Sequence, residues 1–170
     1  MNETDIVKIV LVELEKKGLI KQNDNTFKNV ELLLYNYEAI KDSIKEREEQ
    51  IKDLKTYGIK EKSSSITTIV ENVQKQSKSE LIDNAIESLQ QHIFRTKVFI
   101  KYIDKIIKKL EKDEYYPIIK LKYFKGKSIE EIAEILKKDS STISRNKNRL
   151  INELKPLLLP NEVISNIFNY

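Results

Sequence analysis

Ser128 and Glu131, three residues apart, and the polar run Ser140, Ser141, Thr142, Ser144, Arg145, Lys147, Asn148 and Arg149 are where residue types and spacing suggest chemistry. The chemistry is recognition rather than bond-making. Ser, Thr, Asn and Arg side chains donate and accept hydrogen bonds at base edges and at phosphates. Ser128 with Glu131 has the pattern of a capping box, in which each side chain satisfies a backbone N–H at a helix start. Lys127 and Ser128, at the head of that helix, are placed to grip a phosphate.

The elements that must position these residues can be read from periodicity. Ile129, Ile132, Ala133 and Leu136 repeat at helical spacing and form one apolar face. Lys137-Lys138-Asp139 is a short polar break, after which Asp139 or Ser140 caps a further helix. In that helix Ile143, Leu150 and Leu154 face inward, and Ser, Thr, Asn and Arg face outward. A face that is merely solvated would carry Glu and Lys, as residues 45–53 do. Residues 115–155 therefore read as three short helices with the layout of a helix-turn-helix that binds double-stranded DNA. Pro156 lacks an N–H and is expected to end or kink the last of them.

Charge agrees. Residues 115–160 hold ten Lys/Arg against five Asp/Glu, whereas residues 1–114 hold 21 of each sign. The formal net charge of +4 thus arises in the segment expected to meet phosphate.

The run IIKLKYFKGKSIEEIAEILKKDSSTISRNKNRLINEL resembles region four of bacterial primary sigma factors. It resembles more closely the ArpU/RinA-type regulators of late transcription in phages of Gram-positive bacteria. The resembling run covers about a quarter of the chain, and its matching elements are Leu121–Gly126, Ile129–Ala133 and Ser140–Arg145. Leu32–Leu54 with Ser63–Ser65 is also similar to the N-terminal part of clostridial phage members. The resemblance implies a sequence-specific regulator of transcription, encoded by a phage or prophage, with RNA polymerase as a second partner. Lys137 stands where such motifs often have Gly, and Asn146 where they often have an apolar residue; a wider turn is expected.

Upstream, two heptad seams run without error. Val30, Leu33, Tyr37, Ile40, Ile44, Arg47, Ile51 and Leu54 form the first. Ile82, Ile86, Leu89, Ile93, Thr96, Ile100, Ile103, Ile107 and Leu110 form the second. Sustained seams mean coiled-coil geometry. The expected fold is all-α: a long antiparallel helical hairpin (26–57 and 79–112), coiled-coil-like, followed by a C-terminal helix-turn-helix domain. A first helix from Thr4 to Lys17, stopped by Gly18, precedes the hairpin. The Ser/Thr-rich stretch 58–78 joins its arms. The domains are accordingly 1–112 and 113–170, the second ending in a short helix, Asn161–Tyr170, that acts as a lid or a partner contact.

In the hairpin, layers fill completely when paired residue numbers sum to 140: Val30 with Leu110, Tyr37 with Ile103, Ile44 with Thr96, Leu54 with Ile86. Arg47 then meets Ile93, one layer from Thr96, which helps solvate the guanidinium. The alternative is pairing between chains in a homodimer, which would match a two-fold operator.

Enzymatic chemistry has no foothold. There is one His and no Cys, and three Gly form no phosphate-binding loop. His92 sits at the edge of a seam. The acid pairs Glu48-Glu49 and Glu130-Glu131 lie on polar faces. No metal-ligand spacing occurs. No catalytic residue, cofactor or metal is expected. The N-terminal apolar stretch is interrupted by Glu13 and Glu15 and matches neither a signal peptide nor a membrane span, so a cytoplasmic protein with no membrane partner is expected. Two other functions share these features: a phage DNA-packaging recognition subunit of the small-terminase kind, and a helical scaffold that binds no DNA.

Overall fold

The second seam forms one long helix, as its spacing dictates, and the first is divided between two. The computed structural model describes residues 3–16, 26–58 and 77–159. The Ser63–Ser65 run, the polar turn 21–25, Gly18 and the expected helix at 161–170 lie outside the described residues. The described ones are all-α, with no strand. The helices are α1 (Glu3–Lys16), α2 (Thr26–Tyr35), α3 (Tyr37–Tyr57), α4 (Lys78–Ile107), α5 (Pro117–Ile119), α6 (Ile129–Leu136) and α7 (Ser140–Leu158). A 3-10 turn, Lys108–Leu110, extends α4, and a π-helical turn, Lys120–Phe124, extends α5.

The first seam is one helix by periodicity but two in space. Asn36 separates α2 from α3, and there its side-chain Nδ2 donates to the Leu32 carbonyl at 2.8 Å, beside its own backbone N–H at 3.0 Å. A side chain that competes for a helix carbonyl in this way bends the helix.

Packing divides the chain into two compact units, one from Met1–Ala39 with Val98–Tyr170 and one from Ile40–Lys97. The second unit is an antiparallel pair of helical arms. Gly58 lies opposite Ile82, at 3.6 Å from where a Cβ would stand, and these numbers also sum to 140. Gly58 ends α3 with a positive φ of 67°, a conformation that other residues adopt only with strain. Lys97 and Glu48 form an ion pair at 2.9 Å beside the seam. The polar seam residues behave differently from expectation. Arg47 donates to the Ser43 carbonyl and Thr96 to the His92 carbonyl. Each turns back on its own helix, so the Thr96 hydroxyl proton is not directed toward the guanidinium.

The first unit holds the broad core. Phe99, Leu34, Ile103, Ile118, Ile119, Ile132, Ile143, Leu150, Ile151, Leu154 and Leu158 are all less than 2% exposed. Helix α2, from the N-terminal half of the sequence, packs on α7. Tyr102 donates to the Leu157 carbonyl at 2.5 Å and ties α4 to the end of α7. Helix α7 runs through Pro156 to Leu158 instead of ending there. The proline removes one bond, that to the carbonyl of exposed Asn152, and it lies in the last turn, where such a loss is small.

Candidate nucleic-acid interface

Gly126, at a φ of 65°, turns the chain out of α5. Ser128 then adopts an extended conformation and caps α6. The capping box is complete: the Glu131 N–H donates to Ser128 Oγ at 3.1 Å, and the Ser128 N–H donates to Glu131 Oε2 at 2.7 Å. Lys127 Nζ reaches Glu131 Oε1 at 2.7 Å. The Lys127 ammonium, foremost, and the Ser128 backbone N–H hold the Glu131 carboxyl down at about 2. A carboxylate with a depressed folded-state value stabilises the fold above its ordinary value of 4.5 and loses that contribution as pH falls toward 2. NMR titration of the Glu131 carboxyl is expected to show its midpoint near 2; a midpoint near 4.5 would mean the box is open in solution.

The connection from α6 to α7 is tight, contrary to the wider turn expected. Lys137 takes the left-handed conformation itself, at φ 51° and ψ 49°. The Lys137 N–H reaches the Glu134 carbonyl at 3.3 Å, and the Lys138 N–H reaches the Ala133 carbonyl at 3.0 Å. This is the hydrogen-bond pattern of a Schellman motif, which usually places Gly at this position. Lys is strained there by roughly 1 kcal/mol. Lys137→Gly is therefore expected to raise stability by about 0.5–1 kcal/mol, seen as a melting temperature higher by roughly 2–4 °C. A lower melting temperature would show that the lysine side chain contributes more than its backbone strain.

Asp139 is the N-cap of α7 without a side-chain cap bond, and its carbonyl accepts from the Ile143 N–H at 3.0 Å. Its carboxylate sits at the positive end of the helix dipole. Ile143, Leu150 and Leu154 face inward and are fully buried, as their spacing requires. Ser140, Ser141, Arg145 and Asn148 are exposed, and Ser144 and Thr142 are half-buried. At 100° per residue, Ser140, Ser141, Ser144, Arg145 and Asn148 lie within one sector of α7.

Two residues expected on this face are held by acids of the same chain. Lys147 is 18% exposed at its side chain, pairs with Glu31 of α2 at 2.8 Å, and lies over the Phe27 ring at 5.5 Å. The Tyr123 hydroxyl donates to the same Glu31 oxygen at 2.7 Å. Burial, followed by that bond to Glu31, pushes the Tyr123 hydroxyl far above the ordinary phenol range. Tyr35 meets the Tyr123 ring edge-on at 4.7 Å. Glu31 thus joins α2, the π-helical turn and α7.

Arg149 bonds Asp113 at 2.8 Å, Glu153 at 2.7 Å and the Asn146 side-chain oxygen at 3.1 Å. The bond to Asp113 raises the guanidinium above its ordinary range, and the Arg149 guanidinium holds the Asp113 carboxyl below its own. Asn146, where an apolar residue is usual, satisfies itself by donating to the Thr142 carbonyl at 3.0 Å. In the turn, Lys138 pairs with Glu114 at 3.0 Å and lies over Tyr115.

These pairings reshape the electrostatics. Glu31, Asp113 and Glu114 all lie outside residues 115–160, so the local positive excess is smaller than the sequence count of that segment. What remains is selective: Arg145 has no ion-pair partner among the described residues. No group of acids and histidines that could hold a metal occurs among them either, and no helix there is long and apolar enough to cross a membrane. Sequence reasoning missed Glu31, Phe27 and Asp113. The Glu31 contacts span 92 and 116 residues, and no local pattern signals them.

Comparison with family models, with curated proteins and with solved structures finds no match to this chain.

Proposed function

We propose that this chain is a sequence-specific DNA-binding regulator of transcription that lays α7 in the major groove. The observation that carries the reading is the outer sector of α7: small hydroxyls around an unpaired arginine and an exposed asparagine, on a helix fixed from behind by three fully buried side chains. A helix of about 10–12 Å diameter fits a major groove about 12 Å wide. Lys127 and Ser128 at the start of α6, expected to grip a flanking phosphate, are held by the Glu131 carboxylate, so the reading rests on α7. The likeness of residues 118–154 to ArpU/RinA-type regulators favours a phage or prophage regulator, and that to sigma region four favours RNA polymerase as the second partner.

The test is selection of bound sequences from a random double-stranded DNA library at about 150 mM salt, where binding through phosphates alone fades. An enriched motif is expected, and its half-site spacing reports whether the chain acts as a homodimer. Binding without enrichment, by an assembly whose solution mass is that of a large ring, supports a DNA-packaging subunit instead. Absence of binding even at low salt leaves a helical scaffold.

A further inference from the structure

We infer that base reading falls to only two side chains, Arg145 and Asn148, and that the target contains a guanine and an adenine within about two base pairs of each other. The inference rests on the DNA-binding reading above and specifies what that site recognises.

The argument proceeds by subtraction. Five polar side chains in the middle of α7 have base-reading chemistry or charge: Arg145, Asn146, Lys147, Asn148 and Arg149. Asn146 donates to the Thr142 carbonyl and accepts from Arg149. Lys147 is turned toward α2 and paired with Glu31 in a largely buried site. Arg149 is held by two carboxylates and an amide oxygen, with its Nε, Nη1 and Nη2 atoms all engaged. Freeing either cation for a base leaves carboxylates behind it facing phosphate, which opposes the move. Arg145 and Asn148 are exposed, and no other described residue claims them.

Their chemistry then specifies the bases. A guanidinium bonds bidentately to the O6 and N7 of guanine, and a carboxamide bonds bidentately to the N6 and N7 of adenine. Three residues apart on a helix, the two are displaced by about 4.5 Å along its axis and by about 60° around it. Successive bases on a strand are about 3.4 Å apart. A pair of side chains so placed spans one to two base steps. Ser141 and Ser144, one turn before each, are too short to reach past them and are suited to phosphate or water.

The test repeats the library selection with Arg145→Ala, Asn148→Ala, Arg145→Gln and Arg149→Ala. Arg145→Ala is expected to flatten one guanine position and to weaken the selected site roughly 5- to 150-fold. Asn148→Ala is expected to flatten one adenine position within two base pairs of it. Because glutamine pairs with adenine, Arg145→Gln is expected to convert the guanine preference to adenine, a change that loss of folding does not mimic. Arg149→Ala is expected to lower thermal stability while keeping every base preference.

An unchanged wild-type motif after Arg145→Ala, with all sites weakened equally, would make Arg145 a phosphate contact. That result overturns the inference and leaves sequence-specific binding standing. Loss of a base position on Arg149→Ala would likewise overturn it. A wild-type protein that enriches no motif removes both the inference and the reading on which it rests.

Discussion

Phe99→Ala is expected to destabilise the protein by about 3–5 kcal/mol, and Leu89→Ala, on the same helix, by about half that or less. The difference comes from how many elements surround each site. Leu89 lies on the seam of a two-helix arm, where it remains half-buried. Two helices cover only one side of each other's side chains, so even a flawless heptad leaves solvent access. Phe99 is off the seam, one residue before Ile100, yet only 1% exposed. Ile106, one heptad later, is 4% exposed. From Val98 onward α4 is buried across a wider face, because it belongs to a core that several helices enclose. Denaturant titration of the two variants, followed by circular dichroism and by hydrogen exchange in each unit, measures both losses. Equal losses would show that the arms bury their seam as fully as the core does.

Removal of the Glu31 carboxylate is expected to have the next largest effect. Glu31→Leu leaves the Lys147 ammonium without its partner and the Tyr123 hydroxyl without its acceptor. Both side chains of the ion pair are about one-fifth exposed, so the cost lies below that of breaking a fully buried pair, at about 2–3 kcal/mol. Adding Lys147→Met should restore most of the loss, because the Met side chain packs against Phe27 and the uncompensated charge is gone. A double-mutant cycle on thermal stability reads the coupling directly. A coupling near zero would mean that the two groups are neighbours without being partners. The double variant should also retain its DNA affinity at about 150 mM salt, since Lys147 points into the protein.

The contrast between these two sites explains what the sequence could show. Sequence pattern carried the long second-seam helix, the capping box at Ser128 and the inward face of α7. Each is a local pattern, set within one turn or one heptad. The Asn36 break was not legible, because the heptad runs straight through it. The turn at Lys137 is tight although its residue type predicts a wider one, because the Schellman bonds hold a lysine in a shape that favours glycine. The outer face of α7 was overfilled for a related reason. Lys147 and Arg149 have the composition of DNA contacts, but Glu31 and Asp113, far away in sequence, and Glu153, one turn on, engage them.

Sequence distance also sets an order in time. Glu31 leaves the ribosome 116 residues ahead of Lys147, a wait of about 6–23 s at ordinary rates of synthesis. Tyr123, the first of the two Glu31 partners to be made, follows it by 92 residues, so until then that carboxylate lacks both. The segments on which α2 closes, Lys120–Phe124 and α7, are among the last described residues to be made. The nascent chain therefore carries an unfinished helix until residues 120–158 exist, and the core of the first unit closes only then. A chain arrested before Tyr123 would lack both partners of Glu31.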